Sequence, residues 1–335
     1  MHKKQPSRQL QICSKLLSRD WERGRNLPLP IYERRLGMKR KKQKLKSWIY
    51  LLPALLLILV VLVFPIVYTG YISVTNMNMY HWNDYRFIGF SNYARALFKF
   101  DSGFLGALFT TILWTAINMV LQIGIGFFIA LGLNSPLLRR VSRIYKTLLM
   151  LPWAMPAYIS ILLWRVGMFN TEFGVLNKVL RLFGFDKVDF LGNNVIAFCS
   201  CLVLNLWMAL PFMIATIDGA LQSVDKSLYE SAELDGARFW TSIRYVTVPT
   251  IRPIVAPAAV MTTFITFKQF DIIYLLTQQR GYKTGADLNT VITYAHQNAF
   301  VSNNYGLSSA VSMLLFVVII LFSMFTNRSL REDAL

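Results

Sequence analysis

WIYLLPALLLILVVLVFPIVYTGYI, residues 48 to 72, decides the fold class of this chain, because it runs through 25 residues without a single charge. A helix rising 1.5 Å per residue needs about 20 mostly apolar residues to cross roughly 30 Å of hydrocarbon, and this stretch has them. Five more blocks of the same kind follow at about 104 to 133, 148 to 168, 194 to 217, 251 to 277 and 305 to 326. None alternates with period 2, and all are longer than barrel strands, so transmembrane strands are excluded. The expected fold is therefore an all-α polytopic membrane protein of six transmembrane helices.

The composition agrees. The 335 residues include 35 Lys or Arg and 17 Asp or Glu, a formal charge of +18, yet 55% are hydrophobic and only 16% charged. A soluble domain carries about 25% charged residues, which excludes one soluble fold. Cys13, Cys199 and Cys201 form no CxxC or Cys/His grouping and read as free thiols rather than a disulfide framework or a metal site.

Lys and Arg set the orientation. With the N-terminus inside, the inside segments hold 25 of them and the outside loops 73 to 103, 169 to 193 and 278 to 304 hold eight. Without residues 1 to 47 the count is ten inside to eight outside, four of the ten in the Arg139 to Lys146 run. Both termini are expected in the cytoplasm, with 218 to 250 as a cytoplasmic loop and 327 to 335 as a cytoplasmic tail.

Residues 1 to 47 are a basic cytoplasmic segment, and the polybasic run Met38 to Lys46 suits anionic lipid at the inner end of the first span better than nucleic acid. Residues 1 to 37 lack the apolar core of a signal peptide. Glu33-Arg34-Arg35 is encodable as a purine-rich ribosome-binding sequence just ahead of a Met38 start codon, so 1 to 37 are expected to be untranslated; the alternative is a basic tail.

Pro53, Pro65, Pro152, Pro156, Pro211 and Pro257 fall inside spans, where a lost backbone donor is tolerated only beside neighbouring helices or a cavity. Gly124, Gly126, Ala130 and Gly132 leave room for a second backbone. Apart from Arg252, counted with the inner loop, three charges lie in spans. Arg165 is expected to reach the outer interface. Lys268 and Asp271, three residues apart, would share a helix face and pair.

The loop DGALQSVDKSLYESAELDGARFWTSIRYVTVPT, residues 218 to 250, reads as two short helices around a hinge. Asp225 is an N-cap, Lys226 to Asp235 form the first helix, Gly236 takes the left-handed position that ends it, and Ala237 to Tyr245 form the second, with Pro249 at the start of the fifth span. Glu230-Ser231-Ala232, then Gly236, then Val246-Thr247-Val248-Pro249 closely resembles the EAA signature of permease subunits of bacterial ABC importers. LLMLPWAMPAYISILLW (148 to 164), FGVLNKVL (173 to 180), FDIIYLLT (270 to 277) and YGLSSAVSMLLF (305 to 316) resemble the carbohydrate-uptake class, especially its maltodextrin-type permeases. The sequence departs from that class at Ser231, a small-for-small change, and at Gln278-Gln279-Arg280-Gly281, where the class often has a glycine-rich turn.

The resemblance implies a binding-protein-dependent permease of the bacterial inner membrane. Its partners would be ABC ATPase subunits, a second permease completing a heterodimer, an extracytoplasmic sugar-binding protein and membrane lipid. Coupling to the ATPase would fall to Glu230, Ser231, Ala232, Glu233, Gly236 and Pro249. ATP and Mg would bind on the ATPase subunits, no cofactor on this chain, and the chain would not itself be an enzyme. It has no GxxxxGK[ST], HExxH or GxSxG motif, and His2, His81 and His296 are scattered.

Sugars call for aromatic faces and planar polar groups in an apolar setting. On that chemistry Asn205, Trp207, Phe267, Lys268, Gln269, Asp271 and Tyr274 are candidates for the substrate path, and Lys268 with Arg280 admits an anionic saccharide. The competing class is an ion-coupled secondary transporter using Lys268 and Asp271. An intramembrane enzyme has no nucleophile and base constellation to rest on.

Overall fold

The structure is a computed structural model that describes residues 50–98, 103–135, 142–278 and 288–332. The 1 to 47 segment with its start-site reading, residues 139–141 of the basic run, the Gln279-Arg280-Gly281 departure and residues 333–335 of the tail lie outside the described residues.

The chain divides after Tyr68 into two compact units. The described part of the first is the helix α1, Tyr50–Ser73, which continues past the boundary to its last turn. It absorbs Pro65 by widening: residues Leu59–Val63 form a π-turn in which the Phe64 N–H donates to the Leu59 carbonyl. A proline ring clashes with the carbonyl four residues back, and a wider turn just before it moves that carbonyl aside.

The second unit begins with the last turn of α1, where the Ser73 hydroxyl meets Tyr93 Oη at 2.7 Å. Helices α2 (Ser91–Phe98), α3 (Phe104–Leu133), α4 (Ser142–Ala154), α5 (Ala157–Met168) and α6 (Val175–Leu182) follow. Then come α7 (Asn194–Gln222), α8 (Lys226–Leu234), α9 (Phe239–Phe267), α10 (Asp271–Ile273, continued by a π-turn Tyr274–Gln278), α11 (Val291–Phe300) and α12 (Tyr305–Glu332). Among the described residues five helices are long and apolar enough to cross a membrane, and counting the bent pair α4–α5 as one span brings the number to six.

The core lies along α3 and α7. Trp114, Ile161, Leu204, Ile273 and Leu276 are buried together toward the α10 end, and Met213, Ile217, Val224, Ile251 and Val255 toward the α8 end. Of the small residues on α3, Gly126 makes the close approach: a Cβ there would stand 3.1 Å from Met213 Cγ. Ala130 is fully buried beside it, whereas Gly124 and Gly132 face open space.

Four expectations are corrected. The 148–168 span is two helices meeting at 95°. Pro156 forces this, since the residue before a proline is driven out of the helical region and Met155 is extended at φ −82°, ψ 141°. The 194–217 span runs on to Gln222, so Asp218 is helical and not the first residue of a loop. The 237–245 helix is the first part of α9, joined to the rest by a π-turn Ile243–Thr247 that admits Pro249 as the wide turn of α1 admits Pro65. The 251–277 span stops at Phe267, where the Gln269 N–H turns back to the Thr266 carbonyl and tightens the last turn. Three further helices lie within the stretches expected as outside loops: α2, α6 and α11, the last with the Val291 N–H donating to Thr111 Oγ1 of α3 at 2.9 Å.

Candidate functional site

Two regions of the second unit carry unusual polar chemistry, one at each end of α9. At the first, α8 is capped from both sides. The Asp225 carboxylate accepts from the Ser227 N–H at 3.0 Å, and this bond holds its carboxyl below the usual carboxylate range. At the other end Gly236 stands at φ 78°, with its N–H on the Glu233 carbonyl and the Ala237 N–H on the Ala232 carbonyl. That paired closure requires a left-handed residue, which glycine adopts without Cβ strain.

Glu230, Ser231 and Glu233 face outward on α8, Ala232 is half-buried, and Pro249 is exposed on α9. Of the sequence-predicted coupling residues, Glu230 to Glu233 thus fall on one short helix, Gly236 just past its end and Pro249 on α9. Leu234, Phe239, Trp240 and Tyr245 add an exposed apolar surface that the sequence reading passed over. The inner side of α8 is fixed by Tyr229, whose hydroxyl meets Thr247 Oγ1 of the α9 π-turn at 3.0 Å.

Behind α8, the buried Asp218 collects three partners from three segments. Lys146 Nζ of α4 lies 2.8 Å from Oδ1, Asn134 Nδ2 just past α3 donates to the same oxygen at 2.7 Å, and Gln222 Nε2 donates to Oδ2 at 2.9 Å. A carboxylate this enclosed is stable only when paired and hydrogen-bonded. Read as a loop residue, Asp218 gave no such signal.

The second region is the break between α9 and α10. Lys268 and Asp271 are both exposed and no ion pair joins them. The pairing expectation presumed one continuous helix, and the tightened turn at Gln269 takes the two out of register. Tyr274 is brought together with two residues not singled out for the path, Phe270 and His296, and Gln269 precedes Phe270 in the chain. Tyr274 stacks on Phe270 at 4.7 Å between ring centroids, and His296 of α11 meets Tyr274 at 4.7 Å and Phe270 at 5.0 Å. Gln269 Oε1 and His296 Nδ1 are buried without a hydrogen-bond partner among the described residues.

Arg165, expected at the outer interface, also has a partner in the fold. Its guanidinium donates to the Leu275 carbonyl at 2.6 Å, clamping α5 to the α10 π-turn, whose widened backbone frees carbonyls for such a bond. The remaining candidates are set apart. Asn205 is buried and donates its amide to Asn118 across the α3–α7 interface. Trp207 packs on Trp164 at 5.4 Å. Phe267 borders an apolar groove of about 550 Å³ with Ile112, Val120, Val318 and Phe322.

Long apolar helices, a bent span, a span broken at polar residues and a rigidly capped helix at its far end define a membrane-embedded permease. Residues 122–331 match the family of binding-protein-dependent transport system inner membrane components, and the chain belongs to that family. It is a multi-pass inner-membrane transport subunit. Among its relatives, the galactooligosaccharides transport system permease protein GanP of Bacillus subtilis is 30% identical, over 84% of this chain and 70% of the relative. The trehalose/maltose transport system permease protein MalF of Thermococcus litoralis is also 30% identical, over 85% of this chain and 93% of the relative. Among solved structures, a chain of a bacterial ABC transporter involved in the import of the acidic polysaccharide alginate superimposes with a TM-score of 0.74 at 25% identity, covering 89% of this chain and 99% of that one.

Proposed function

We propose that this chain forms part of the translocation path of an ABC importer for a sugar or oligosaccharide, driven by ATP hydrolysed on separate ATPase subunits. A second permease completes the membrane pathway and an extracytoplasmic binding protein delivers the sugar. The substrate class rests on the relatives, which carry galactooligosaccharides or trehalose and maltose by name. The ion-coupled alternative loses its coupling pair, since Lys268 and Asp271 are not joined.

The single observation that carries the mechanism is the double attachment of α8. A three-residue connection, Ser223 to Asp225, joins it to α7, and the Tyr229–Thr247 hydrogen bond joins it to α9. An ATPase subunit that grips the exposed Glu230–Glu233 face from the cytoplasm therefore moves two spans together. The 29-residue α9 extends about 43 Å at 1.5 Å per residue, so the displacement reaches the break that carries Gln269. There the Phe270, Tyr274 and His296 rings offer faces for sugar C–H surfaces, and the unpaired Gln269 and His296 atoms suit hydroxyl groups. Rocking of the spans about this region supplies alternating access.

Uptake of labelled maltodextrin or galactooligosaccharide by cells expressing the complete system tests the reading. Uptake is expected to collapse when cellular ATP is depleted and to survive an ionophore that dissipates ion gradients. Survival of ATP depletion with loss in the ionophore would restore the ion-coupled alternative.

A further inference from the structure

Helix α6 shows an apolar stripe that the transport reading does not use. Its back is anchored: Asn177, 1% exposed, donates to the Asn170 and Val188 carbonyls at 3.2 and 2.9 Å and accepts from the Val188 N–H at 2.9 Å, while Leu176 packs on the core. At 100° per residue, Val175, Val179, Leu182 and Phe183 fall within one narrow sector nearly opposite Asn177. All four are exposed, Leu182 by 84% and Phe183 by 76%. Gly184, at φ 82°, closes the helix through its N–H on the Arg181 carbonyl and the Phe185 N–H on the Leu180 carbonyl, and the apolar run continues to an exposed Phe185. Lys178 and Arg181, both exposed, line one flank of the stripe.

Chain geometry limits what can cover this stripe. Six residues separate α6 from the end of the bent span at Met168, and eleven separate it from the start of α7 at Asn194. Six residues extend at most about 20 Å, so α6 stays close to the membrane face opposite α8. An apolar stripe with basic residues beside it, tethered that close to a bilayer, has the chemistry of an interfacial helix. We infer that α6 lies in the membrane–water interface, with Val175, Val179, Leu182 and Phe183 among the lipid acyl chains and Lys178 and Arg181 at lipid phosphate groups. So placed, it holds the outer end of α5, the helix whose Arg165 clamps the α10 turn. The inference rests on the membrane-spanning reading and not on the identity of the substrate.

The test uses the full chain, with its native cysteines replaced, reconstituted in phosphatidylcholine vesicles. An environment-sensitive fluorophore is attached in turn to Leu182→Cys, Phe183→Cys and Asp186→Cys. Labels at 182 and 183 are expected to emit at shorter wavelength and to be quenched by lipid brominated along its acyl chains but not by aqueous iodide, and the label at 186 to do the reverse. Phosphatidylglycerol in the vesicles is expected to increase the bromolipid quenching, and Lys178→Gln with Arg181→Gln to remove that increase. Iodide quenching at 182 and 183 without bromolipid quenching would overturn the placement. Shielding that develops only when a soluble binding protein or second permease is added would also overturn it, and would make the stripe a protein-docking face. Two reporter positions on the stripe keep the test decisive if one variant misfolds.

Discussion

The two ends of α9 make a contrast in how polar chemistry is held. At the α8 end the bonds that cap the helix itself are local: Asp225 to Ser227, Gly236 to Glu233 and Ala237 to Ala232, none spanning more than five residues, while longer-range bonds only attach it to its neighbours. At the α10 end they are long-range: Arg165 reaches Leu275 across 110 residues, and the Tyr274 ring meets His296 of another helix. A local device keeps its shape while its attachments move, as an element that transmits motion must. A device assembled from several helices changes whenever those helices shift, as befits a site that opens and closes.

Substitutions can sharpen this contrast or break it. The largest effect is expected at Asp218, where α3, α4 and α7 converge. Asp218→Ala strands Lys146 and two amides, and the loss is set at about 3 kcal/mol, read as a lower melting temperature of the purified chain in nanodiscs. A melting point unchanged from the parent would mean that the enclosed carboxylate does not tie the segments together. Next is Gly306 at the start of α12, where any Cβ would collide with the Thr75 carbonyl. Gly306→Val is expected to destabilise by about 2 kcal/mol in the same assay.

Arg165→Met removes the donor from the Leu275 carbonyl, a bond from a charged group worth about 1.5 kcal/mol or more. With α10 loosened, the concentration of sugar giving half-maximal uptake is expected to rise while the amount of protein in the membrane stays normal. Unchanged uptake would remove the α10 turn from the substrate site. The smallest effect is a pH dependence confined to α8. Asp225 has its carboxyl lowered by the Ser227 N–H, so its cap stabilises α8 above the ordinary carboxylate range and is lost as pH falls through the lowered value. Protection against amide hydrogen exchange across Lys226–Leu234, taken relative to the unstructured-chain rate at each pH, is expected to fall on that acid side, and Asp225→Ala to show the reduced protection at neutral pH as well.

What the sequence made legible follows the same division. The N-cap at Asp225, the end of α8 near Gly236 and the apolar blocks were readable because each signal lies within a few residues or within one span. The bend at Met155–Pro156 escaped because membrane helices often carry proline without breaking, and only the packed structure shows which proline breaks its helix. Asp218 reads as a loop residue in the sequence because its partners Asn134 and Lys146 are distant along the chain. The spacing of Lys268 and Asp271 suits pairing only on a continuous helix, which the backbone abandons at Gln269. His296 and Phe270 gave no sequence signal of a site, since only tertiary packing sets them around Tyr274.

Communication through α8 is the central claim, and sugar-stimulated ATP hydrolysis by the assembled transporter in reconstituted vesicles measures it most directly. Gly236→Val forces a β-branched residue into a left-handed position, and Glu230→Lys reverses a charge on the exposed face; neither touches the break between α9 and α10 proposed for the sugar. Both variants are expected to reach the membrane in normal amount yet to lose sugar-stimulated hydrolysis or release the ATPase subunits on purification. Full sugar-stimulated hydrolysis with intact subunit association in both would contradict the claim that α8 is the coupling element.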